Sequence, residues 1–227
     1  MITKPIYLFA DSQLLFWSED DVLFLKSVRD HLGEGDLKAA YVGASNGDDP
    51  QFFSIFEAAM QNIGVVDLRM IESSFSAEDA AFMDSADIIL LSGGDVEKGW
   101  NVFTSTGLAQ SIVKRHEEGA VLIGVSAGAV QLGMMGWADE VQGSTDFFYT
   151  LRLVPFIISA HDEGHDWEKL KGAVTFAGNN VSGIGLPTGG GLIYHADGTV
   201  EPVRRSLYEY SMEEDRLISR ILLAPNA

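Results

Sequence analysis

The sequence predicts a three-layer α/β fold, a mostly parallel sheet with helices on both faces and extra β structure toward the C-terminus. Three observations predict it. Short apolar runs bounded by turn residues alternate with amphipathic stretches, as parallel strands joined by crossover helices do. One run, Val121 to Val125 (VLIGV), is apolar throughout, as a strand covered on both faces must be. Past Phe156 the pattern turns rich in extended segments.

Pro5 to Phe9 reads as the first strand, and Ser18 to Leu32, with Val22, Leu23, Leu25 and Val28 apolar, as a helix ended by Gly33. Lys38 to Val42 is the second strand, followed by the loop Gly43 to Gly47. Pro50 to Ile63 carries Phe52, Phe53, Ile55, Phe56, Ala59 and Met60 at helical spacing and stops at Gly64. Val65 to Ile71 is a strand, Ala77 to Met83 a short helix, and Ala86 to Leu91 a strand that ends in Ser92-Gly93-Gly94-Asp95. One long helix is expected over Val96 to Glu118, then the strand Val121 to Val125 and a helix over Ala127 to Met134. Phe156 to Ser159, Val181 to Leu186, Gly191 to His195, Thr199 to Val203 and Leu207 to Ser211 look extended, with a helix from Asp166 to Phe176 among them. No linker, low-complexity tract or repeat interrupts the pattern, so residues 1–227 are expected to form a single domain.

Composition excludes several classes of function. Of the 227 residues, 46% are hydrophobic, enough for a sizeable core. The absence of cysteine removes disulfides, thiolate metal ligands and a cysteine nucleophile. A net charge of −18 repels nucleic acid and anionic membrane, although it does not set the sign inside a cleft, where a cationic substrate could be attracted. Met1 to Ala10 holds an apolar run too short for a signal segment or a membrane span, so a cytoplasmic protein is expected.

Gly124-Val125-Ser126-Ala127-Gly128 matches G-x-S-x-G between an apolar strand and a helix-compatible stretch. A serine there is held on a strained turn that exposes its Oγ, and the Ala127 N–H, at the helix N-terminus, faces a developing oxyanion. The Ser92-Gly93-Gly94 turn closes another parallel strand, so Gly94 is a candidate second oxyanion donor, and Gly93 and Asp95 are candidate substrate contacts. The bland alternative is a tight turn with Asp95 as helix N-cap.

A serine hydroxyl needs a base. Among the five histidines, His31 and His116 fall late in expected helices and read as structural, and His195 precedes an Ala-Asp-Gly turn. His161 follows a strand directly and is preferred to His165. The pair His161 and His165 with their neighbouring carboxylates could instead bind a divalent metal, but Gly164 weakens a helix there and Asp162 stands where the metalloprotease motif needs Glu.

At these residues the chain resembles the dipeptidase E and cyanophycinase family of serine peptidases, whose fold is like that of class I glutamine amidotransferases with serine in place of cysteine. The similar blocks are Ser-Gly-Gly-Asp at 92 to 95, Gly-Val-Ser-Ala-Gly-Ala at 124 to 129, Leu153 to His161, and Gly183-Ile-Gly-Leu-Pro187, within roughly residues 85 to 203. The resemblance implies Ser126 as nucleophile, His161 as base and an acidic third member between them, with Asp139 the best positional match and Glu140 the runner-up. It implies hydrolysis of a peptide or isopeptide bond in a small peptide; no cofactor and no metal are expected, the net charge leaves no nucleic acid or membrane partner expected, and a homo-oligomer stays open. Two departures stand out. Asp162 to Lys171 contains no arginine, where dipeptidase E-like members carry one for the substrate's acidic side chain, and Pro187-Thr188-Gly189 stands where the family often has Pro-Glu-Gly. The alternative from another class is a catalytically silent relative that binds a small ligand or partner chain in the same cleft.

Overall fold

The computed structural model describes residues 4–138, 146–179 and 181–225. Strand β1 (Ile6–Phe9) is followed by a 3₁₀ turn at Ser12–Leu15 that Asp11 caps, then by the short hairpin β2 (Ser18–Glu19) and β3 (Val22–Leu23) and helix α1 (Lys26–Asp30). The helix expected over Ser18 to Leu32 is corrected here. Asp20 and Asp21 take left-handed φ of 48° and 62°, which reverses the chain in a two-residue turn and pairs Ser18 with Leu23. Helix remains only over the last part of the apolar periodicity.

Next come β4 (Lys38–Val42), α2 (Pro50–Asn62), β5 (Asp67–Ile71), α3 (Ala77–Met83) and β6 (Ile88–Leu91). Helix α2 starts where Asp49 caps the Gln51 N–H at 2.8 Å and Pro50 presets the first turn. The single helix expected over Val96 to Glu118 is two, α4 (Val96–Thr106) and α5 (Leu108–Glu117), because Gly107 at φ +86° breaks the helical path. Strand β7 (Val121–Val125) leads into α6 (Ala127–Leu132) and the hairpin strands β8 (Met135–Trp137) and β9 (Phe147–Tyr149). The remainder is β10 (Phe156–Ala160), α7 (Glu168–Ala177), β11 (Ser182–Leu186), β12 (Gly191–Tyr194), β13 (Val200–Val203), β14 (Leu207–Glu213) and β15 (Arg216–Leu222).

The central sheet has seven strands in the order β13-β12-β1-β7-β6-β4-β5, with the five from β1 to β5 parallel and β12 and β13 antiparallel at one edge. Its two faces are legible in β1: Ile6 and Leu8 join one buried cluster and Tyr7 and Phe9 the other. Phe103, Leu108, Ile112 and Leu132 cover the first face, and Leu25, Val28, Phe56 and Met60 the second, giving helix–sheet–helix layers.

The extra β structure divides. Strands β12 and β13 extend the central sheet, whereas β10, β11, β14 and β15 form a separate four-stranded sheet. Ile158, Ile184, Leu186 and Leu207 of that second sheet belong to the central core, while Ile157 and Tyr210 pack with Trp167, Leu170 and Val174 at α7. The second sheet therefore brings the end of β10 toward α6 and the end of β7. Among the described residues no helix is long and apolar enough to cross a membrane.

Candidate active site

Ser126 is the junction between β7 and α6, at φ +50° and ψ −109°. Both its neighbours are committed. Val125 is paired with Phe9 of β1, the Ser126 N–H donates to the Phe9 carbonyl at 2.9 Å, and the Ser126 carbonyl accepts from Ala129 N–H at 3.0 Å and Val130 N–H at 3.2 Å. The abrupt change from strand to helix thus falls on one residue, and its backbone is strained. The flanking glycines allow the turn to close. A Cβ at Gly124 would lie 2.7 Å from the Ala129 backbone, and one at Gly128 only 2.1 Å from the Leu91 carbonyl oxygen of β6. No side chain fits at either place.

His161 comes from the other sheet. It follows β10, its N–H donates to the Leu186 carbonyl of the neighbouring β11 at 2.8 Å, and its φ is +44°. This turn carries the ring across to the elbow, where Nε2 lies 2.7 Å from Ser126 Oγ. At that distance the hydroxyl can donate to the neutral imidazole when Nδ1 carries the proton. Among the described residues no carboxylate hydrogen-bonds the His161 ring. Asp139 and Glu140 lie outside the described residues; in sequence they fall between Trp137 and Phe147.

The pair opens onto a cleft of about 910 Å³ whose wall includes Gly94, Ala127, Trp137, Phe147 and the charged residues Asp95, Asp162, Glu168 and Lys169. Ala127 is the first residue of α6, so its N–H has no partner within the helix. Gly94 sits at φ +135° against the Ser45 carbonyl, where a Cβ would meet the oxygen at 2.2 Å. Asp95 accepts from Lys98 N–H at 2.8 Å and so caps α4 while also lining the cleft. Gly93 lies against the Ser126 side chain: a Cβ there would be 3.4 Å from Ser126 Cβ.

The other histidines go elsewhere. His165 is 82% exposed at its side chain and holds Asp162 Oδ1 at 3.0 Å through Nδ1. His116 is buried against the Ala120 carbonyl at 3.1 Å, and burial lowers its pKa. His195, at the turn, pairs with Glu201 at 2.8 Å. Among the described residues no group of three or more His, Asp or Glu side chains is placed to hold a metal.

One supporting residue escaped the sequence analysis. Gln131, fully buried in α6, donates from Nε2 to Ser45 Oγ and to the Val96 carbonyl, both at 3.0 Å. It ties the helix behind Ser126 to the β4 loop and to the start of α4. The signal was a lone amide in an otherwise apolar helical stretch, Ala127 to Leu132.

The described residues thus join a mostly parallel sheet, a strained serine elbow at the end of an inner strand, and a histidine delivered to that serine from a second sheet. The chain belongs to peptidase family S51, whose family model matches residues 12–200, and peptidase function follows at the level of the family. This is the dipeptidase E family that the sequence blocks resemble. Two solved structures share the fold. A peptidase from an acI-B1 Actinobacterium matches with a TM-score of 0.70 at 14% identity, over 98% of this chain and 95% of that one. A putative peptidase E protein from Listeria monocytogenes EGD-e matches with a TM-score of 0.57 at 14% identity, over 96% and 98% of the two chains. No curated protein matches the chain by sequence.

Proposed function

We propose that the chain, acting as a single domain, is a serine-type exopeptidase or dipeptidase-like hydrolase that cleaves a peptide or isopeptide bond of a small peptide. Ser126 Oγ attacks the carbonyl carbon while His161 Nε2 takes its proton. The tetrahedral oxyanion is held by the N–H groups of Gly94 and Ala127. The C–N bond then breaks, His161 returns the proton to the leaving amine, and water hydrolyses the acyl-enzyme by the same steps in reverse order. Asp139 is the proposed third member, accepting from His161 Nδ1–H and so fixing the tautomer.

The single observation that carries the proposal is the 2.7 Å approach of Ser126 Oγ to His161 Nε2 at a strained elbow facing an open cleft. The cleft wall also bears on substrate: among its described residues Asp95, Asp162 and Glu168 are acidic beside Lys169, and no arginine is present. An N-terminal aspartate side chain finds no guanidinium partner among those described residues.

A fluorophosphonate probe tests the proposal without knowledge of the substrate. It should phosphonylate wild-type protein at Ser126, found by peptide mapping, and leave Ser126→Ala unmodified, while hydrolysis of any small-peptide substrate found falls on the order of 10⁴-fold or more in that variant. A well-folded wild-type protein that resists the probe, or an alanine variant within tenfold of wild type, would overturn it.

A further inference from the structure

Gln131 is fully buried in α6, about one helical turn past Ala127. Its amide reaches out of its own helix. Nε2 donates to Ser45 Oγ and to the Val96 carbonyl, both at 3.0 Å, and Oε1 accepts from Ser45 Oγ at 3.3 Å. The Val96 carbonyl can only accept, which fixes the end of the amide that faces it.

Both partners belong to the surroundings of Gly94. The Ser45 carbonyl accepts from Asp95 N–H at 2.9 Å and lies so near Gly94 that a Cβ there would meet the oxygen at 2.2 Å. Val96 follows Asp95 directly and begins α4. The turn that carries the Gly94 N–H is thus held on one side through Ser45 and on the other through Val96, in each case by the same amide. Room for this bridge is kept by Gly99 of α4, where a Cβ would lie 2.2 Å from Ser45 Oγ and 2.4 Å from Gln131 Nε2. Glycine is a poor residue inside a helix, and the bridge supplies the physical reason for it.

Resting on the Ser126–His161 reading above, we propose that Gln131 is a positioning residue for the oxyanion hole: with Ser45 and Val96 it sets the spacing between the Gly94 and Ala127 N–H groups. The two donors come from different elements, the turn before α4 and the first residue of α6, with α4, α5 and β7 between them in the chain. Local structure cannot fix their separation, so a tertiary link must. Donors stabilise a developing charge only from hydrogen-bond distance, and a displacement of about 1 Å costs on the order of 10²-fold in rate. A buried amide suits the task because every shift that breaks its hydrogen bonds leaves polar atoms unpaired out of reach of water.

The test uses the full chain and a fluorophosphonate, whose phosphoryl oxygen takes the place of the oxyanion once Ser126 is phosphonylated. Gln131→Met keeps the length of the side chain and removes its hydrogen bonds. At a temperature well below the melting point of each protein, the maximal labelling rate kinact should fall by roughly tenfold to a hundredfold, with KI within about twofold of wild type. The phosphorus NMR resonance of the adduct should also move, because it senses hydrogen bonds to the phosphoryl oxygen. A merely structural role lowers the melting temperature and leaves rate and resonance in place. Ser45→Ala breaks one of the two links; it should act in the same direction by less, and it decides the matter should Gln131→Met not fold. A folded Gln131→Met within about threefold of wild type, or in its place a folded Ser45→Ala indistinguishable from wild type, overturns the inference. Slower labelling with an unmoved resonance overturns it as well, since the loss then lies elsewhere than at the oxyanion donors. Wild-type protein that resists the probe removes the hydrolase reading, and this inference with it.

Discussion

Replacing Ser126 by glycine and, separately, by alanine measures the strain held at the elbow. At φ +50° and ψ −109° the residue lies outside all three main regions open to side chains with a Cβ. Such a position costs on the order of 1–3 kcal/mol, and glycine escapes most of it. Both variants lose Oγ and its contact with His161, so their difference reports the backbone alone. Glycine adds freedom to the unfolded chain, which offsets about 0.5–1 kcal/mol. Ser126→Gly should therefore be more stable than Ser126→Ala by about 0.5–2 kcal/mol. In a chain of 227 residues each kcal/mol moves Tm by about 2–4 °C, so the glycine variant should melt roughly 1–8 °C higher. Urea denaturation at equal m, checked by calorimetry, reads the difference. An alanine variant as stable as the glycine variant would refute the claim that the elbow is strained.

The remaining predictions concern catalysis and specificity. Asp139→Asn should leave the fold intact and cut turnover by roughly 10²- to 10⁴-fold, with Glu140→Gln nearly silent, as kinetics beside circular dichroism would show. The reverse pattern would move the role to Glu140, and two silent variants would mean that His161 has some other orienting group. In a dipeptide screen, Asp-Leu should not be favoured over neutral or basic analogues, because among the described residues the cleft wall carries Asp95, Asp162 and Glu168 and no arginine. Fast cleavage of Asp-Leu with the others untouched would refute this.

The elements read correctly from sequence are those in which local pattern and tertiary burial agree. Val121 to Val125 is apolar at every position and is buried at every position, between β1 and β6. The stretch from Ser18 failed for a definite reason: Val22, Leu23, Leu25 and Val28 satisfy helical spacing, but aspartates tolerate left-handed φ, and Asp20-Asp21 spends that tolerance on a hairpin turn. Strand β15 was not anticipated at all. It is a largely exposed edge strand whose Arg216 and Arg220 give it little apolar alternation, and pairing with β14 along seven residues makes it a strand. In the site, the serine was legible because G-x-S-x-G sits between strand and helix, whereas Gln131 was not, since it acts through partners far away in sequence, Ser45 and Val96.

By itself the sequence determined the layers of the fold, the place of Ser126 on a glycine-flanked turn and the short list of histidines that could serve it. Those features follow from local chemistry: the spacing of apolar residues, the conformational freedom of glycine and the position of a polar residue at an element's end. Only the tertiary structure decided that β10 belongs to a second sheet and that its end swings His161 to within 2.7 Å of Ser126. Periodicity marks which face of a strand is buried but not which sheet the strand joins, because sheet membership is settled by hydrogen bonds between segments distant in the chain.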